Sequence, residues 1–250
     1  MGKMPRKCRI ASGVPKFYFG RVKNSGKALF AALRLIGLAG AAVLALLAVA
    51  FLAKWAAILI LHYLLWALVA LWVLFTGFAL YFFRDPDPLV PTAKNLVVSP
   101  GHGKVDAVDT VNEPEFMGGE CQRVSIFLSI VSVHVQCAPV AGRVACFKHN
   151  PGRYLSALRA ESAQFNENVL IGLEAAEPRG EKIGVRLIAG VIARRIVPWV
   201  KENDTVQRGE RISLIQFGSR VDVYLPRRAT IKAKPGDKVT GGETMIASFD

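Results

Sequence analysis

Apolar residues crowd positions 29–83 with few polar interruptions, then recur only in short runs separated by glycine, proline and polar residues. The first region reads LFAALRLIGLAGAAVLALLAVAFLA, then Lys54, then WAAILILHYLLWALVALWVLFTGFALYFF. Roughly 20 apolar residues cross a bilayer core. The block therefore predicts a two-helix transmembrane hairpin, with spans near 35–53 and 61–82 and a turn around 54–60. Arg34 starts the first span, where its stem can snorkel toward headgroups. Within 61–82 only His62 and Thr76 break an apolar and aromatic run. A soluble fold of this size offers too little surface to cover such a helix on all sides.

Beyond YFFRDPDP the pattern changes. Pro86, Pro88 and Pro91 end the helix and stiffen the connector. Runs at 96–99, 105–108, 123–128, 131–135, 142–147, 169–173 and 183–191 predict short strands, hence a β-rich module. Residues 154–164 fit either a loop or a short helix. VQRGERI at 206–212 and VTGGETM at 239–245 form a weak internal repeat, V-x-x-G-E-x-apolar, each copy after a polar turn. Two copies are too few for a solenoid. They match the paired strand–turn–strand units of barrel-sandwich folds, where glycine lets the backbone turn sharply.

The stretch LIQFGSRVDVYLP at 214–226 places Gly218 and Ser219 inside an otherwise strand-like alternation. A glycine there relieves a bulge or tight turn. Alternatively, the Gly218–Ser219 bond is itself chemically consumed. The pair alone does not decide between these readings.

Charge sharpens the division. The formal net charge is +13, yet residues 1–84 carry 11 Lys and Arg and no acidic residue, against 21 basic and 19 acidic residues afterwards. The basic excess adjoins the apolar block and no nucleic-acid motif, which argues against nucleic-acid binding. Eight basic residues precede Ala28, Arg84 follows the second span, and only Lys54 lies between the spans. The positive-inside rule then places both termini and the β-rich module in the cytoplasm, at the inner membrane. A cleaved signal peptide fits poorly, because the apolar region starts late and is long. Expected boundaries are a basic segment at 1–28, a membrane hairpin at 29–83 and a β-rich domain at 84–250. Cys8, Cys121, Cys137 and Cys146 show no metal-ligand spacing and are expected reduced, so no metal is predicted.

YFFRDP, SPGHGKV at 99–105, VSIFLSIVSVHVQCAPVAGRV at 124–144, IAGVIARRIVPW at 188–199 and QFGSRVDVYLP at 216–226 occur in one order. Together they resemble the short prokaryotic type of phosphatidylserine decarboxylase, over about residues 30–250. The resemblance implies a self-cleaving proenzyme. Ser219 Oγ attacks the Gly218 carbonyl, the resulting ester eliminates, and hydrolysis leaves a pyruvoyl group on chain 219–250, associated with chain 1–218. That group is the implied cofactor, with no external cofactor. It forms a Schiff base with phosphatidylserine, and loss of CO2 gives phosphatidylethanolamine. The bilayer is the implied partner; a homo-oligomer is left open.

The same resemblance assigns His134 to chemistry beside the pyruvoyl group and Glu167, among the substrate-binding residues, to positioning of the active loop. Arg194 and Arg195 suit either surface charge or the substrate phosphate or carboxylate, which a guanidinium fork can hold. The usual SP-x-DG reads SPGHG here, so His102 stands where an aspartate is thought to assist self-cleavage. After His134 and Val135, Gln136 and Cys137 replace a usual Asn-Arg pair. These departures keep a non-cleaving relative binding anionic lipid in view, beside a membrane-tethered adaptor and a decarboxylase of another serine-headed lipid, such as an ether lipid.

Overall fold

A computed structural model describes residues 27–155, 165–190, 195–216 and 219–249. The chain divides into two compact units, Met1–Leu71 and Trp72–Asp250. The apolar block is one continuous helix, α1 (Lys27–Phe82), in place of the expected hairpin. The reason is local. Residues 54–60 read KWAAILI, with no glycine, proline or turn-forming side chain to release the backbone from the helix. Expecting both termini on one side depends on an even number of crossings, and the unbroken helix removes the turn that supplied it. From Leu29 to Phe82 the helix is long and apolar enough to cross a membrane, with a mean hydropathy of 2.7 in its most apolar window and none of that window buried. Such surface suits lipid contact, and the chain is membrane-associated on this ground.

The second unit is β-rich, as expected. Its strands are β1 (Leu96–Val98), β2 (Gly103–Glu113), β3 (Gly119–Leu128), β4 (Val135–Cys137), β5 (Gly142–Asn150), β6 (Asn168–Ala175) and β7 (Lys182–Ile188). They continue as β8 (Ile196–Pro198), β9 (Thr205–Val206), β10 (Arg211–Ile215), β11 (Ser219–Leu225), β12 (Thr230–Ile231), β13 (Lys238–Val239) and β14 (Met245–Ser248). An eight-stranded sheet runs β13-β2-β3-β11-β7-β6-β5-β9, and two three-stranded sheets run β1-β14-β12 and β4-β10-β8.

Strand β11 lies inside the large sheet, antiparallel to β3 and β7, with Val221 opposite both Ile126 and Leu187. Its alternation separates two environments. Val221, Val223 and Leu225 enter the main core with Val124, Ile126, Leu128, Val185 and Leu187. Tyr224 joins Phe116, Cys121 and Leu170 in a second cluster. Burying each aliphatic side chain contributes roughly 2 kcal/mol, so register is strongly specified here.

One expected strand is absent. Residues 131–134 form a turn and approach, because Ser132 N donates to Ser129 O at 2.9 Å and the two hydroxyls lie 3.0 Å apart. Pairing resumes only at Val135, opposite Leu214. The V-S-V-H alternation there reflects burial of Val133 and His134 in the approach to β4 rather than a strand.

The internal repeat is a real structural pair. Gly209 has φ 79° and Gly242 has φ 76°, both left-handed. Glu210 accepts from Gln207 N, and Glu243 accepts from Leu89 N. The two turns meet. A Cβ on Gly242 would lie 2.7 Å from Pro88 Cβ and 3.5 Å from Gly209 Cα, while one on Gly209 would lie 2.3 Å from Val90 Cγ2. The PDPLV connector therefore runs against both turns.

Gly242→Ala is expected to lower the thermal midpoint of the detergent-solubilised protein by about 4–8 °C, through left-handed strain plus the Pro88 clash. Gly118→Ala, at φ 80° but with nothing within 4 Å, carries the strain alone and should lose less. Differential scanning fluorimetry compares the two.

Candidate functional site

Ser219 opens β11 opposite Leu128 and is fully buried. Among the described residues its hydroxyl has no hydrogen-bond partner. A buried hydroxyl without a partner carries a desolvation cost of about 1–3 kcal/mol. Such an atom is a candidate reacting group. Gly218 lies outside the described residues, as does Arg194.

His134 is fully buried and stacks on Phe82, the last residue of α1, with ring centroids 4.3 Å apart. Its Nδ1 lies 2.8 Å from Ser132 O. A carbonyl can only accept, so Nδ1 carries the proton and Nε2 is the ring's acceptor. Burial pushes the imidazole down to about 4, against the Ser132 bond and helped by the positive charge of Arg84. His134 is therefore neutral at pH 7. Its carbonyl accepts from Ile215 N at 3.1 Å and Gln136 Nε2 at 2.6 Å. The histidine is thus tied to the segment that leads, four residues on, to Ser219.

The departures at 136 and 137 have structural roles. Gln136 is fully buried and accepts from Ser213 Oγ at 2.7 Å, locking β4 to β10. The buried Cys137 thiol is pushed up to about 11 by burial, so it is not a thiolate at neutral pH. Opposite it in register stands Arg211, which pairs with Asp85 at 2.5 Å and Asp87 at 2.7 Å. This ties the RDPD connector to the sheet that carries His134.

His102 lies in the turn before β2. A Cβ on Gly241 would approach its Cδ2 to 2.9 Å, so glycine makes room for the ring. Burial lowers its pKa, opposed by Glu243, with Arg84 lowering it further. Among the described residues no hydrogen bond joins His102 to Ser219. Its neighbour Gly101 faces Leu128 and Val221, beside the serine's strand.

Glu167 accepts from Tyr154 Oη and lies 2.9 Å from His149 Nε2. Its carbonyl accepts from Ala189 N, and Ile188 pairs with Arg220. Glu167 is therefore two strands from Ser219 in the sheet, about 10 Å at normal strand spacing. Arg195 has an exposed side chain, and its carbonyl accepts from Gln216 N at 3.2 Å. The structure thus ties the His134 segment to β10, the strand that precedes Ser219, while Glu167 lies two strands from the serine on the β7 side and His102 precedes β2 on the β3 side.

Sequence reasoning missed the charge network on the opposite face of β11. Arg220, 3% exposed, pairs with Asp106 at 2.6 Å and donates to Ser125 Oγ at 2.9 Å. Ser125 in turn donates to the buried Asp222. The strand alternation alone puts Arg220 and Asp222 on one face of β11; Ser125 and Asp106, far off in sequence, carry no local signal.

Fold and site define a helix-bearing β module with a buried serine at a strand start and a buried neutral histidine whose carbonyl is bonded to Ile215, in the strand that precedes the serine. A family model described as Phosphatidylserine decarboxylase matches residues 75–247. The chain is 42% identical over 182 residues to the phosphatidylserine decarboxylase proenzyme of Desulfotalea psychrophila, covering 73% of this chain and 84% of that one. It is 41% identical over 181 residues to that of Symbiobacterium thermophilum, covering 72% and 83%, and 40% identical over 174 residues to that of Syntrophus aciditrophicus, covering 70% and 81%. The chain belongs to the phosphatidylserine decarboxylase family.

The depressed His134 pKa has a stability consequence. The folded state binds this proton only near pH 4, the unfolded state near pH 6.5. Stability is full above pH 6.5 and falls as pH drops, by roughly 2 kcal/mol between pH 7 and pH 5. Denaturant titrations at both pH values should show this loss in wild type, and His134→Gln should lack that share of it.

Proposed function

We propose that this protein decarboxylates phosphatidylserine to phosphatidylethanolamine after cutting itself between Gly218 and Ser219. Family membership supports the substrate and reaction class, and the buried, unpartnered Ser219 hydroxyl carries the site assignment. That hydroxyl fits the pyruvoyl group, which is made from the serine itself and needs no separate binding pocket. When formed, it supplies a ketone that condenses with the substrate amine and takes up the electrons released with CO2.

The chain's own residues do the remainder. Ser219 Oγ attacks the preceding carbonyl, and the glycine there leaves that carbon unhindered. His134, neutral and with Nε2 as its acceptor, handles the proton at the reacting position. The Phe82 ring and the surrounding apolar core keep bulk water away from it. His102 packs on Gly241 in the turn before β2 and supports maturation through the turn it braces. Chains 1–218 and 219–250 stay associated after cleavage. The apolar helix keeps the module at the membrane, with the basic N-terminal segment on the cytoplasmic side, where anionic lipid attracts it.

Intact-mass measurement of freshly purified protein tests the reading. Two chains divided after Gly218 are expected, the smaller blocked at its N-terminus and reactive toward hydrazines. Ser219→Ala should remain a single, inactive chain. An uncut wild type forming no phosphatidylethanolamine would refute the proposal. Separately, His102→Ala should slow the appearance of the small chain at least severalfold in a pulse–chase; an unchanged rate removes His102 from maturation.

A further inference from the structure

A cavity of about 560 Å³ opens beside the site, lined in part by Arg84, His102, Lys104, Phe127, Ser132 and Lys238. Its walls carry three permanent cations and no carboxylate. Two other cavities differ in this respect: one includes Glu113 and Glu115 in its lining, the other Glu174. Among the described residues neither Lys104 nor Lys238 has a carboxylate partner. Arg84 is held in place by other means. It donates to Tyr81 O and Val131 O, both at 2.7 Å, and its guanidinium lies 4.0 Å from the centre of the Tyr81 ring. Lys104 and Lys238 are exposed, so water screens their mutual repulsion, and an anion entering the cavity would meet attraction from all three cations. Hydroxyl groups of Ser129, Ser132 and Thr240 stand in the same walls.

The cavity adjoins the strand ends that carry the reacting position. Ser129 follows Leu128, the register partner of Ser219, while Phe127 and Lys104 stand in register with Arg220 on the other face of the sheet. Ser132 and Val133 immediately precede His134. The charge of Arg84 reaches both His102 and His134. In a phosphoserine headgroup, one ester oxygen and one methylene separate phosphorus from the carbon that loses the carboxylate. The phosphate must therefore sit close to Ser219, and residues adjoining the serine's register partner and His134 line this cavity.

We propose that the cavity is the phosphodiester subsite of the substrate, with Lys104 and Lys238 supplying charge and Arg84 a fixed guanidinium at its rim. The inference rests on the decarboxylase reading and deepens it. Arg195, exposed and on the other side of the Gln216 segment, is not needed for this contact. Lysine suits the role as a mobile point charge following a lipid headgroup in from the membrane surface, while the anchored guanidinium fixes its final position.

The test uses self-cleaved, detergent-solubilised full-length protein, with rates expressed per mole of small chain. Lys104→Met and Lys238→Met should each raise KM for phosphatidylserine in mixed micelles on the order of tenfold, and change kcat less than about twofold, because the lost contact is uniform binding. Lys94→Met, outside the cavity, should leave KM unchanged. Glycerophosphoserine should inhibit wild type and lose potency in both cavity variants, whereas serinamide, which lacks the phosphate, should inhibit all forms equally. An unchanged KM, or equal glycerophosphoserine potency in wild type and variants, overturns the subsite. So does a KM defect that tracks weaker sedimentation with phosphatidylglycerol vesicles, which would assign the lysines to general attraction by an anionic surface. If wild type forms no phosphatidylethanolamine at all, the functional reading fails instead.

Discussion

The structure depends on one strand being held from both sides. Strand β11 lies between β3 and β7 in the eight-stranded sheet, and each of its seven residues is buried. Backbone pairing at Ser219 with Leu128, and at Arg220 with both Phe127 and Ile188, fixes the strand's first residues in place. A reactive serine needs that constraint. Its hydroxyl must be kept from water and from stabilising partners, and an exposed loop offers neither condition. A buried strand end does, because the ladder satisfies the backbone while the side chain is left unmatched.

The two faces of β11 divide the work. One face packs Val221, Val223 and Leu225 into the main core and carries Ser219 at its tip. The other holds Arg220 and Asp222, which are costly to bury unless paired. Their partners come from strands β2 and β3: Asp106, Ser125 and, at 3.6 Å, Arg123. Removing one member would strand the others in a low-dielectric setting. The network's structural effect is to pin the residue next to Ser219 to a different strand through its side chain, independently of the backbone ladder.

Much of this was legible in the sequence, and the failures have physical causes. The strands with alternating or fully apolar patterns were visible because burial and periodicity coincide there. The glycine pair at 209 and 242 was legible as a weak repeat, since two equivalent left-handed turns leave the same V-x-x-G-E signature. At 54–60 the length of the apolar block suggests a turn, but no residue there encodes one and the helix runs through. Residues 131–134 were misjudged because a buried turn can alternate as a strand does. The Gly218–Ser219 pair stands out in its strand, but only likeness to a family chooses the chemical reading and singles out His134, since neither spacing nor composition shows which serine is buried without a partner. The cationic cavity was invisible for a related reason. Lys104 and Lys238 meet because β13 pairs with β2 at those very residues, and nothing local in either segment foretells it.

That pairing bears on what a cut at Gly218 would do. Residues 219–249 are not an appendage. They supply β11 to the middle of the large sheet, β13 to its edge beside β2, and β12 and β14 to the sheet shared with β1. Ile246, Ala247 and Phe249 enter the main core alongside Val97. Breaking one peptide bond at the start of β11 removes a single covalent link and leaves every one of those contacts in place. Releasing the short chain would expose a strand's width of core in the centre of the sheet. Each of its buried aliphatic side chains opposes that by roughly 2 kcal/mol, far beyond the entropy gained by freeing one chain end. The fold thus permits a new terminus at Ser219 without loosening the residues around it, with Arg220 paired to Asp106 on the other side of the cut. A reactive group made from the polypeptide itself requires this property: the chemistry that creates it must leave its surroundings standing.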